Sequence, residues 1–118
     1  MSTQTTPTQL TTIRQLEDEY QKISAFLNEK WSLADKDHRI FARTMKIVEE
    51  LGELSDEILT SMNLQRDTKI ANFSRENIED EFADVLGSLV LLAAELEIDI
   101  AEVMQRKIAY TRDRFEME

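Results

Sequence analysis

Apolar residues recur every three or four positions along most of this 118-residue chain and nowhere alternate as they would on a half-buried strand. Ile13, Leu16, Tyr20, Ile23 and Leu27 form one stripe, preceded by Thr12 and Gln15 at capping-box spacing. That pattern predicts a first helix from about Thr12 to Lys30. The stretch Trp31 to Asp37 has no clear period and reads as a short connection, with Asp35 or Asp37 capping the next helix. Ile40, Thr44, Ile47, Leu51, Leu54 and Ile58 predict a second helix with this stripe turned to the core. After the polar stretch Asn63 to Phe73, Ile78, Phe82, Val85, Leu89, Leu92 and Leu96 predict a third helix from about Ser74 to Glu97. Asp99 and Glu102 again have capping-box spacing, so a fourth helix starts there and runs through Arg114. The expected fold class is all-α and four-helix bundle-like.

A polar row accompanies each of the two middle stripes. Lys46, Glu50, Glu53 and Glu57 follow one helix face, and Asn77, Glu81, Asp84 and Ser88 follow the other, each row about 100° round from its apolar seam. Residues three apart are neighbours on a helix, so Glu50 pairs with Glu53 and Glu81 with Asp84. Helices that bring both pairs together gather up to four carboxylates in one small volume. The usual compensation for such repulsion is a hard divalent cation with oxygen ligands, which here means a magnesium-type site. Gly52 and Gly87 lie inside these helices, each at a propensity cost of up to about 1 kcal/mol relative to alanine. Their places beside the acidic pairs predict close approach of the two helix backbones there. The competing reading of the acidic rows is a solvated face on a helical adaptor.

Composition narrows the choice. The 14 Lys and Arg against 24 Asp and Glu give a net charge of −10, which argues against broad binding to nucleic acid or to anionic membranes. A small anion bridged by metal stays compatible with it. With no cysteine there is no disulfide framework, thiolate nucleophile or cysteine zinc site. Met1 to Gln9 is polar and Thr-rich without a signal peptide's apolar stretch, so residues 1–10 are expected to be a flexible tail and 11–118 a single all-α domain. No apolar run approaches a membrane span, and a cytoplasmic protein is the expectation. The unbroken run Leu89 to Leu92 gives helix three more than one apolar side, which predicts a homodimer or homotetramer.

The segment Lys46 to Leu54, KIVEELGEL, followed by Glu81 to Leu86, EFADVL, resembles the E-E-x-x-E and E-x-x-D motifs of MazG-type nucleoside triphosphate pyrophosphohydrolases. Lys107 to Arg114 is similar to the basic C-terminal segment of that family, and the resemblance covers roughly Ile13 to Phe115. It implies a MazG fold, dependence on Mg2+ with Mn2+ as a substitute, and cleavage of a nucleoside triphosphate to a monophosphate and pyrophosphate. It also implies dimers or tetramers with a substrate pocket built partly at a subunit interface, and a house-cleaning role toward non-standard or excess nucleotides. Carried over by position, Glu50, Glu53, Glu81 and Asp84 match the metal ligands. Glu49 matches the remaining motif glutamate, a candidate for a second metal, for orienting the attacking water or for accepting its proton.

Lys46, Lys107, Arg112 and Arg114 are candidate phosphate clamps, since an anion needs cations despite the negative balance elsewhere. Trp31 is a candidate base-stacking residue, although it also continues the first stripe from Leu27. His38 reads as a helix-start residue. A phosphoribosyl-ATP pyrophosphohydrolase is the enzymatic alternative, but Val85-Leu86-Gly87-Ser88 follows the second motif where a Tyr-His type of continuation is expected. A dinuclear iron bundle needs two E-x-x-H pairs, and the chain has a single histidine.

Overall fold

The structure, a computed structural model, describes residues 9–30, 35–64 and 74–118. Among them are four helices and no strand: α1 (Ile13–Lys30), α2 (Lys36–Ser61), α3 (Arg75–Glu95) and α4 (Ile100–Arg114). Each begins where a side chain satisfies an orphan backbone N–H of the first turn. At α1 the capping box is reciprocal: Gln15 N donates to Thr12 Oγ1 at 3.1 Å and Thr12 N to Gln15 Oε1 at 3.0 Å. Asp35 rather than Asp37 caps α2, accepting from His38 N at 2.9 Å. Ser74 caps α3 and Asp99 caps α4 in the same way.

The helix ends share a second device. Both glycines lie inside helices. The left-handed position that ends a helix therefore falls to Asn63, Glu97 and Glu116, at φ 59°, 56° and 53°. In each case the next residue's N–H reaches back to satisfy a carbonyl of the last turn, as Ile98 N does to Ala93 O at 2.9 Å. The break after α3 turns the chain within four residues into α4.

In the packing, α3 is central. α2 lies along it, α1 crosses it, and α4 docks on α1. Val90 and Ala93 are the buried apolar residues among those described, while Glu17, Ser24, Glu50, Thr60 and Glu95 are buried polar ones. This corrects the expected seams. On α2, Leu51 and Ile58 are exposed, and on α3 so are Phe82, Leu89 and Leu96, with Phe82 at 60%. Of the polar row on α2, Glu50 is buried and Glu57 half-buried, while Lys46 and Glu53 are exposed. The main neighbours of α3 are α2 and α1, so among the described residues part of each apolar stripe is left uncovered.

The glycines divide. A Cβ on Gly52 would meet nothing within 4 Å, so the expected close approach is absent there. A Cβ on Gly87 would overlap the Tyr20 hydroxyl and stand 3.0 Å from Tyr20 Cζ. The close approach at Gly87 is therefore to an aromatic side chain of α1, not to α2. No described helix is long and apolar enough to cross a membrane. Trp31, most of the expected 1–10 tail and most of the Asn63 to Phe73 connection lie outside the described residues.

Candidate metal centre

Because Glu50 and Glu53 are one turn apart on α2 and α3 runs alongside, a carboxylate of α3 can meet both. Glu50, Glu53 and Glu81 each place an oxygen within 4.8 Å of the other two. Glu50 is buried, Glu81 half-buried and Glu53 exposed, so the cluster opens to solvent on one side. Burial pushes the Glu81 carboxyl above the usual carboxylate range, and the charges of Glu53 and Asp84 push it further the same way. Asp84 stands outside the three-residue group, on the next turn of α3, and lines the cavity beside it.

Two of the cluster's oxygens, Glu50 Oε2 and Glu81 Oε2, are buried without a hydrogen-bond partner. An unpaired buried carboxylate oxygen is costly, and two on neighbouring like charges are costlier. A hard divalent cation would satisfy both and cancel the repulsion. The donor set is entirely oxygen, as magnesium requires, and three protein ligands leave positions for water and phosphate oxygens. The residues present fit such an ion.

The cluster adjoins, through Glu50, one end of a cavity of about 430 Å³ between α1, α2 and α3. Glu50 and Asp84 line that end, and Lys46, Gly87, Ser88 and Tyr20 follow. Lys46 is committed to carboxylates, with Nζ 3.1 Å from Glu50 Oε1 and 3.3 Å from Glu49 Oε1. Its hydrogen bond to Glu50 first, and that to Glu49 second, hold its pKa above the ordinary value. Glu49 is exposed.

The other end carries a group that periodicity alone did not single out. Glu95 is buried, and its Oε1 accepts from Asn28 Nδ2 at 2.9 Å, Arg39 Nε at 3.0 Å and Arg43 Nε at 3.3 Å. Arg43 Nη2 also donates to Asn28 Oδ1 at 2.8 Å. Burial alone would raise the Glu95 pKa, but the Asn28, Arg39 and Arg43 hydrogen bonds outweigh it and hold the carboxyl below its usual range. A signal was there to read: Arg39 and Arg43 extend the Lys46–Glu50 row backward, and Glu95 extends the Glu81–Asp84–Ser88 row forward.

The other candidate phosphate clamps lie away from the cavity. Lys107 sits over the Tyr110 ring at 4.9 Å, Arg114 over Phe115 at 5.0 Å, and Arg112 donates to the Glu118 carbonyl. All three belong to α4, which docks on α1, and none lines the cavity. One chain therefore does not bring them to the carboxylates. His38 is a helix-start residue as expected, its Nδ1 2.8 Å from Asp35 Oδ1.

No curated protein and no solved structure matches the chain. The model of the MazG-like family does, over residues 42–118. With both acidic pairs, and most of α2 and all of α3 and α4, inside that segment, the chain belongs to the MazG-like family.

Proposed function

We propose that the protein is a Mg2+-dependent nucleoside triphosphate pyrophosphohydrolase that releases a nucleoside monophosphate and pyrophosphate, with Mn2+ as a substitute ion and non-standard or excess nucleotides as its targets. Family membership suggests nucleoside triphosphate pyrophosphatase-type activity in general. The observation that carries the finer reading is the convergence of Glu50, Glu53 and Glu81 with two buried oxygens left unpaired.

In this reading Glu50, Glu53 and Glu81 hold the ion, and Asp84 supports it from the cavity wall. An ion held there would supply neutralisation of polyphosphate charge and polarise a bound water toward loss of its proton. The chain's own groups do the rest. Lys46, at the cavity wall, keeps Glu50 oriented through its 3.1 Å ion pair and presents positive charge to a phosphate. Glu49 lies outside the ligand group, and we assign it the proton released by the attacking water. No covalent intermediate with the protein is needed.

We further propose a cytoplasmic homodimer or homotetramer. Its support is the apolar surface one chain leaves open on α2 and α3, including Val48 at 62% exposure and Phe82 at 60%. Lys107, Arg112 and Arg114 then serve as phosphate contacts only where α4 of a second copy meets the carboxylates. The test is a pyrophosphate-release screen over ribo-, deoxy- and modified nucleoside triphosphates, with and without Mg2+. Magnesium-dependent release from at least one is expected. Its absence from all of them would refute the reading.

A further inference from the structure

The hydrogen-bonding inventory at the cavity's second end narrows what that end can recognise. We propose that Arg43 and Asn28, held in place by buried Glu95, read the nucleobase and select bases that present a carbonyl oxygen on the edge away from the sugar, of the uracil, thymine or guanine type, over adenine. This rests on the reading of the carboxylate end as the site of the phosphates.

Position comes first. Arg43 precedes Glu50 by two helical turns, about 10 Å along α2 at the usual helical rise, with Lys46 between them. A nucleotide whose phosphates lie at the carboxylates extends its base along the cavity toward Arg43. The side chains beside Arg43 and Asn28 in the cavity wall are Leu27, Ala42 and Leu91. Apolar walls suit the faces of a planar base and do not suit a phosphate.

The donor count gives the selectivity. Arg43 has five N–H groups; its Nε serves Glu95 and one on Nη2 serves Asn28. The rest, including both on Nη1, meet no acceptor among the described residues. Asn28 is fixed in one orientation, because turning its amide over would set NH2 against a guanidinium and oxygen against a carboxylate. Its oxygen faces Arg43 and its remaining N–H is unspent. This end of the cavity therefore offers N–H donors and wants acceptors. A guanine or uracil edge supplies carbonyl oxygen at the position where adenine carries its amino group, which sets donor against donor there and leaves adenine only its ring nitrogens as acceptors. Glu95 touches neither base nor phosphate in this scheme. It is a positioning residue, and its charge keeps the guanidinium and amide from turning away.

Calorimetric titration of the full chain in Mg2+ with UMP, GMP, AMP and inorganic tripolyphosphate tests this. UMP, GMP or both should bind at least about fivefold more tightly than AMP, the lower end of what one well-placed bidentate contact discriminates. Arg43→Lys keeps the charge beside Glu95, and Asn28→Ala removes only the amide; each should erase the preference and leave tripolyphosphate affinity unchanged. Glu95→Gln should erode the ratio between bases. AMP binding as well as the others, or a preference that survives both Arg43→Lys and Asn28→Ala, overturns the assignment. A parallel loss of tripolyphosphate affinity in Arg43→Lys makes Arg43 a phosphate contact and overturns it too. Base-selective binding with no pyrophosphate release from any triphosphate would instead refute the proposed hydrolase and leave the base reading standing.

Discussion

Both ends of the cavity between α2 and α3 hold buried carboxylates, and the fold treats them oppositely. Glu95 accepts three hydrogen bonds, two of them from arginines, and its charge is stabilised. Glu50 and Glu81 face Glu53 with an unpaired oxygen each, relieved only in part by Lys46. The residue type and the pair of helices are alike, and Glu50 is as buried as Glu95, with Glu81 half-buried beside it. What differs is how fully the chain itself supplies the partners: two arginines and an amide serve Glu95, whereas Lys46 alone serves the acidic cluster and leaves two of its oxygens unpaired.

The largest expected effect breaks the satisfied end. Glu95→Ala leaves Arg39 and Arg43 without their shared partner and should cost about 3 kcal/mol in urea unfolding, the low end for breaking a buried pair because Arg39 can reach water. Glu81→Gln should cost nothing in metal-free buffer and instead stabilise slightly, since it removes a repelled charge. Equal losses in both variants would erase the contrast between the ends.

Next in size is the response to metal. An ion that binds only the folded state at a hundred times its dissociation constant adds about 2.7 kcal/mol. Millimolar Mg2+ or Mn2+ should therefore raise Tm well beyond sodium chloride of matched ionic strength, which only screens the −10 net charge. Glu53→Ala should abolish this rise, and turnover with it, while circular dichroism remains helical. Glu95→Gln should keep the rise. If sodium does as much as magnesium, the acidic cluster is a solvated face.

The four helices were legible because their causes are local. Thr12 with Gln15, Asp35, Ser74 and Asp99 announce their caps within three residues, and the paired acids follow from i, i+3 spacing. The Glu95 network was harder to read, since it joins Asn28 of α1, Arg39 and Arg43 of α2 and a residue of α3. Only the packing of three helices creates it. The exposed halves of the apolar stripes have the same origin: periodicity shows that Leu51 and Phe82 are apolar, not which helix covers them.

Acidification should separate the ends by sign. Glu81 has a folded pKa above its ordinary value of 4.5, so the folded state takes up its proton first. The metal-free protein should gain stability from this group as pH falls through that raised pKa, with the gain complete below 4.5. Glu95 has a lowered folded pKa; its stabilisation is full above the ordinary carboxylate value and is lost as pH falls through the folded one. The Tm of metal-free protein should thus rise on mild acidification and fall on further acidification. Glu81→Gln should diminish the rise and keep the fall. Saturating Mg2+ should reverse the mild-acid arm, because the ion holds the carboxylates ionised.

The smallest effect probes the ground between the two ends, where Gly87 meets Tyr20. In helix propensity alone, alanine at Gly52 or Gly87 gains up to about 1 kcal/mol. Gly52→Ala should realise that gain, because a Cβ there enters open space. Gly87→Ala should lose stability instead, since its Cβ would overlap the Tyr20 hydroxyl and the ring has to shift. Tyr20→Phe removes the overlapping oxygen, so the double variant should recover part of the loss, a coupling that a double-mutant cycle reads directly. Additive effects would mean that Tyr20 and Gly87 do not meet in solution, and that the cavity between the carboxylates and Arg43 is wider than the structure shows.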